Sequence, residues 1–109
     1  MPRHDGLPPG TLALLVLRLL AQQPLHGYAI AQQIALLSRD RLSVEEGSLY
    51  PALQRLLLNG WVTAAPAVSD TGRTVRTYRL TALGRKQLLA EEAKYRRMTL
   101  GIAAILDAT

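Results

Sequence analysis

Cysteine is absent from this 109-residue chain, which excludes a disulfide framework and a thiolate metal site and leaves a reducing cytoplasm unproblematic. Histidine is nearly absent: His4 and His26 are the two present, with no H-E-x-x-H pair and no glycine-rich phosphate loop. The serines have no identifiable base and orienter, and the carboxylates mostly lie on helices beside basic residues. Catalysis, a metal centre and a dedicated cofactor are therefore not expected. Long apolar runs are missing too. Residues 12–20 are interrupted by Arg18 and followed by no small-residue cleavage site, so they do not make a signal segment. No uninterrupted run approaches the ~18 residues of a membrane span, and the expected location is the cytoplasm. Acidic residues are scarce: eight Asp and Glu against thirteen Lys and Arg leave a net charge of +5 and a pI near 10.2. The excess falls in residues 73–97, on Arg73, Arg76, Arg79, Arg85, Lys86, Lys94, Arg96 and Arg97, and suits an anionic partner. Its predominance of arginine favours phosphate and guanine contacts over diffuse charge.

What is present is a pattern of short amphipathic segments. At 49% hydrophobic the chain reads as one globular domain, small enough that a partner subunit would help it bury surface. Residues 1–9 form a polar, Pro- and Gly-containing lead. Thr11 can cap a first helix reaching Gln22, with Leu12, Leu15, Val16, Leu19 and Leu20 on one stripe and Ala13, Leu14 and Leu17 opposite. One layer cannot cover both faces in so small a domain, which implies that part of this helix, through Leu14 and Leu17, meets a second subunit. After Pro24 a second helix opens at Leu25-His26-Gly27, with Ile30, Ile34 and Leu37 inward and Gln32 and Gln33 outward. His26 suits a turn or capping role better than that of a ligand or acid–base group. Residues 42–44 read as a short strand.

The third helix carries Leu49, Ala52, Leu53, Leu56 and Leu57 at the spacing of a core-facing stripe. Tyr50, Gln54 and Arg55 then point away from the core, where they can hydrogen-bond to phosphates or base edges or simply form a solvated face. Its start is ambiguous. Ser43 and Glu46 make a capping-box pattern that places Pro51 inside the helix, a start at Ser48 puts Pro51 in the first turn, and a kinked helix is the third solution. Asn59-Gly60 is a stop signal. Beyond it, residues 61–63 and 74–80 are β-prone, and Ser69-Asp70-Thr71-Gly72 is turn chemistry, giving a hairpin with Arg73 near its tip. Either the Arg76 face or the Arg79 face of its second strand must be exposed.

Thr81 caps a last helix reaching Leu106. Leu88, Tyr95 and Ile102 recur every seven residues, with Met98 and Ile105 at the intervening d-like positions and Glu91 interrupting the seam. Such a face serves either its own domain or a second copy. Two incompletely satisfied helices at opposite ends of the chain make a homodimer the better reading. The order helix, helix, helix, hairpin, helix is mainly α with a small β-hairpin. It describes a winged helix-turn-helix domain over residues 10–81 and a dimerisation helix over residues 82–109.

At this point the chain resembles the PadR family of bacterial transcriptional regulators, in its short form with a single C-terminal helix. The resemblance rests on Gly10-Thr11-Leu12 with Leu14-Leu15, Pro24-Leu25-His26-Gly27-Tyr28, Glu45-Glu46-Gly47-Ser48-Leu49-Tyr50-Pro51-Ala52-Leu53, Asn59-Gly60-Trp61 and Tyr78-Arg79-Leu80-Thr81 with Gly84-Arg85. It implies that Ser48, Tyr50, Gln54 and Arg55 face a major groove or its flanking phosphates. It implies further that Tyr28 contacts backbone phosphate, although a core aromatic with a solvated hydroxyl is the plainer alternative there, and that Arg73 and Arg76 hold the wing against the minor groove or sugar-phosphate edge. The implied function is a homodimeric repressor on a roughly palindromic duplex operator, relieved by a small aromatic or amphipathic effector near Tyr95 and Met98. The chain departs from the family pattern at Thr77, where a second wing tyrosine is common, and at Tyr95, where tryptophan is common. From another class, an adaptor that docks an acidic protein surface would want the same basic face. RNA is less well served, since nothing here resembles a base-stacking platform.

Overall fold

The computed structural model describes residue 7 and residues 10–108; the expected lead over residues 1–9 lies, but for Leu7, outside the described residues. In chain order the elements are α1 (Thr11–Gln22), β1 (Leu25–His26), α2 (Gly27–Leu37), α3 (Glu46–Leu58), β2 (Val62–Val68), β3 (Thr74–Leu80) and α4 (Ala82–Leu106). Helices and a small antiparallel sheet, ordered β1-β3-β2, share one core.

That core is built where the apolar stripes of the first three helices meet the base of the hairpin. Val16, Leu17 and Leu20 from α1, Ile30 and Ile34 from α2, Leu49, Leu53 and Leu56 from α3, and Val62, Tyr78 and Leu88 are all buried. Each such aliphatic side chain contributes about 1.5–3 kcal/mol by leaving water. The α3 stripe behaves as its spacing predicts, with Leu57 half-buried at its margin. Leu37 does not face inward as expected. It is 67% exposed, because α2 ends there and its last turn runs past the core.

The ends of the elements are set by specific bonds. Gly10, with φ of 84°, caps α1 in place of Thr11, and no side chain bonds to the free amides there. His26 caps α2, its Nδ1 accepting from the Ala29 amide at 3.3 Å. The start of α3 falls between the two sequence alternatives: Glu45 is its N-cap without a side-chain cap bond, and Pro51 sits inside the helix. Proline has no N–H to give the Gly47 carbonyl, so the helix goes without one bond in its second turn. At the other end Gly60, with φ of 74°, reverses the chain. Its amide donates to Leu57 O at 3.0 Å and the Trp61 amide to Leu56 O at 3.0 Å, the paired 5→2 and 6→1 bonds of a Schellman cap.

No strand forms at residues 42–44. The third strand is β1, whose Leu25 and His26 pair with Tyr78 and Thr77 of β3. Residues 42–44 form an irregular connection in which Leu42 and Val44 pack on the core. In the hairpin β2 pairs β3 from Val62↔Leu80 to Val68↔Thr74, and Pro66 is accommodated because β2 is an edge strand. Tyr78 and Leu80 occupy the covered face of β3, yet Arg76 on that same face is exposed, as is Arg79 on the other. The hairpin is longer than the core beneath it, so both arginines reach solvent.

The joint between hairpin and last helix is tightly made. Thr81 Oγ1 accepts from the Gly84 amide at 2.9 Å and donates to Gly60 O at 2.7 Å, while the Thr81 amide donates to Trp61 O at 3.1 Å. Helix α4 then runs 25 residues. Its first half packs on α1, and from residue 93 onward nearly every described position is exposed. Among the described residues no helix is long and apolar enough to cross a membrane.

Candidate functional site

The exposed side of α3 is a continuous stripe of Tyr50, Pro51, Gln54, Arg55 and Leu58, opposite the buried Leu49, Leu53 and Leu56. Ser48 stands half-buried in the first turn. Of these residues Tyr50 has the most company. Its ring lies against Gly27 at the start of α2, and a shallow groove of about 310 Å³ is lined by His26, Gly27, Tyr28, Tyr50, Val75, Arg76 and Tyr78. Three elements thus converge: the first turn of α2, the first half of α3 and the middle of β3.

The groove is lined by hydrogen-bond donors and one cation. Tyr28 is 64% and Tyr50 46% exposed, so both phenols can reach a partner. The first turn of α2 carries the positive end of the helix dipole, and the His26 Nδ1 is occupied by its cap bond to the Ala29 amide. Arg76 places its guanidinium carbon 5.8 Å from the centroid of the Tyr78 ring. That cation–π contact, worth about 0.5–1 kcal/mol at an exposed site, holds the side chain over the groove and leaves its N–H donors available. Tyr78 itself is buried and serves as the floor.

The other predicted residues are placed separately. Gln54 and Arg55 continue the α3 stripe away from the groove, and Arg73 stands at the hairpin tip. There Ser69 organises the turn: its amide donates to Arg73 O at 2.8 Å, its hydroxyl accepts from the Arg73 amide at 3.3 Å, and Gly72 supplies the positive φ of 82°. The turn fixes the backbone of Arg73 and leaves its side chain exposed. Sequence reasoning missed Gly27 as part of the site. The signal was faint, a glycine next to a tyrosine at a helix start, and its partner Tyr50 lies 23 positions away.

The residues expected at a subunit interface divide in two. Leu17 is 0% and Leu88 3% exposed, each enclosed by its own chain, so neither offers surface to a second copy. Both were assigned outward because a seven-residue or opposite-face pattern does not reveal that α1 and α4 pack on one another. Leu14 is almost buried at the margin of that packing. Tyr95, Met98, Ile102 and Ile105 are exposed along one side of α4. Glu91, the break in the seam, accepts from Gln87 Nε2 at 2.9 Å. A second shallow groove, of about 280 Å³, runs between the start of α1 and α4, lined by Gly10, Thr11, Leu14, Glu91, Lys94, Tyr95 and Met98. Among the described residues no cluster of three or more His, Asp or Glu could hold a metal ion.

Comparison with known proteins matches residues 16–90 to the model of the transcriptional regulator PadR-like family. A transcriptional regulator of Mycobacterium tuberculosis is 39% identical over 75 residues, covering 69% of this chain and 66% of its own. The crystal structure of a PadR family transcriptional regulator from Eggerthella lenta superposes with a TM-score of 0.77 at 28% identity, over 92% of this chain and 85% of that one. A PadR family transcription regulator from Clostridium difficile gives a TM-score of 0.76 at 25% identity, over 89% and 99% of the two chains.

Proposed function

The chain belongs to the PadR-like family of transcriptional regulators, DNA-binding proteins and not enzymes, and from that premise we propose that it is a cytoplasmic homodimeric repressor of a roughly palindromic operator. The observation that carries the reading is the convergence of Tyr28, Tyr50 and Arg76 on one groove, continuous with the exposed Gln54 and Arg55. Residues 10–81 form the DNA-reading unit and residues 82–109 the dimerisation helix. Ser48, Gln54 and Arg55 address the major groove, Tyr28, Tyr50 and Arg76 the backbone beside it, and Arg73 the minor groove or its edge. The dimer forms through Tyr95, Met98, Ile102 and Ile105, with Leu14 at the rim, because among the described residues nothing else covers the second half of α4. Two such heads read half-sites about 34–36 Å apart on one DNA face.

Relief of repression follows from the groove between α1 and α4. A small aromatic or amphipathic effector seated against Tyr95 and Met98 changes how the two copies of α4 pack, and it acts in proportion to its preference for one head spacing over the other. The test of the whole reading is fluorescence anisotropy with promoter DNA from upstream of the protein's own gene, against scrambled duplex, across a salt series. Preference for the promoter is expected, with a log–log salt slope near −0.9 per phosphate neutralised. No binding to either duplex at low salt would sink it in favour of the adaptor.

A further inference from the structure

Glycine at position 27 is unexplained by its own backbone. It is the first residue of α2, it is buried, and its φ lies outside the left-handed region where glycine is needed. In a helix, alanine is preferred to glycine by roughly 0.5–1 kcal/mol. The structure gives a different reason for the missing side chain. A Cβ built on Gly27 would stand 3.0 Å from the Tyr50 hydroxyl oxygen, 3.1 Å from its Cε1 and 3.3 Å from its Cζ. The contacts are with the tip of a half-exposed side chain and not with backbone, so a methyl group there would push the tip of the ring away by a few tenths of an ångström without breaking the fold.

We propose that Gly27 is a positioning residue for DNA binding, holding open the space in which the Tyr50 ring lies on α2, and that Tyr50 so placed contacts the sugar-phosphate backbone and not a base edge. The inference rests on the DNA-binding reading above. The groove beside the Tyr50 hydroxyl offers donors suited to a phosphate, the Tyr28 phenol and the Arg76 guanidinium. The acceptor nitrogen of the one imidazole there, His26 Nδ1, is committed to the Ala29 amide. A contact to phosphate is blind to sequence.

The test uses Gly27→Ala, Tyr50→Phe and Tyr50→Ala singly, and Gly27→Ala with Tyr50→Ala, measured on promoter and scrambled duplexes. Tyr50→Phe should weaken both duplexes alike by about ten- to a hundredfold, the loss of one hydrogen bond to a charged group, and Gly27→Ala should weaken both alike by at least about threefold, the same bond strained and not removed. Gly27→Ala should melt no lower than the wild type, and should add nothing in the Tyr50→Ala background. Wild-type affinity for Gly27→Ala, an undiminished effect in that background, or a loss confined to the promoter would each overturn the proposal. If the wild type binds no duplex, the DNA reading itself has failed. The steric claim is then decided by the Tyr50 ring resonances in NMR spectra, which Gly27→Ala must shift and Gly47→Ala, whose added Cβ meets nothing within 4 Å, must not.

Discussion

Gly84 is the residue with least room to change. A Cβ there would fall 1.9 Å from the Trp61 carbonyl oxygen and 2.8 Å from the carbonyl carbon, both backbone atoms that no rotamer change can move. Gly84→Ala is therefore expected to cost roughly 3 kcal/mol, the upper part of the usual range for overpacking. For a domain of this size that lowers Tm by roughly 12–24 °C. Gly101→Ala on the same helix, where a Cβ meets nothing, should hold Tm or raise it slightly, and thermal unfolding of the two side by side checks the contact. The same logic separates what single residues reveal in a sequence from what they conceal. Thr81 was legible as a cap because capping is local, a hydroxyl three positions before the Gly84 amide it accepts from. Gly27 and Gly84 were not, because each is glycine on account of a neighbour that only the folded chain brings near.

Among the elements, α3 and β3 were the most legible and β1 the least, while β2, expected over residues 61–63, runs from Val62 to Val68 because its outer half is held by pairing with β3. The α3 stripe shows in the periodicity of its leucines, and its end in Asn59-Gly60, since a Schellman cap needs only six consecutive residues. The start of α3 was ambiguous because Glu45 makes no side-chain cap bond that a sequence pattern could signal. β1 is two residues long and is defined wholly by pairing with Tyr78 and Thr77, some fifty positions later. No period exists in two residues. The hairpin's two arginines illustrate a related limit, for the alternation of faces is visible in sequence, while the height at which the core stops is not. The placement of these elements separates two kinds of contact by mutation. Arg55→Ala on α3 should cost roughly 1–3 kcal/mol and blur base preference if its side chain reads a guanine, whereas Arg73→Ala at the hairpin tip should weaken all duplexes alike. Anisotropy titrations over a panel of single-base operator variants check this, and equal loss across the panel for both variants would remove Arg55 from the base-reading set.

For the molecule as a whole, the exposed second half of α4 is the feature on which the proposed dimer rests. Leu100, Ile102, Ile105 and Leu106 are all largely exposed on that helix. Ile102→Glu should place a charge in the seam and shift the protein from dimer to monomer at micromolar concentration, as read by sedimentation equilibrium. The monomer should keep its fold, because Ile102 belongs neither to the core cluster nor to the hydrophobics packed against it. A dimer of unchanged mass would exclude this face. The short joint at Thr81 gives the arrangement a mechanical character. A helix of 25 residues is about 37 Å long, and its near end is pinned to Gly60 and Trp61, the two residues that terminate α3. The chain is in that sense a lever welded to its load: a tilt of about 5° along α4 swings its far end by roughly 3 Å relative to α3, with no hinge between them to absorb it.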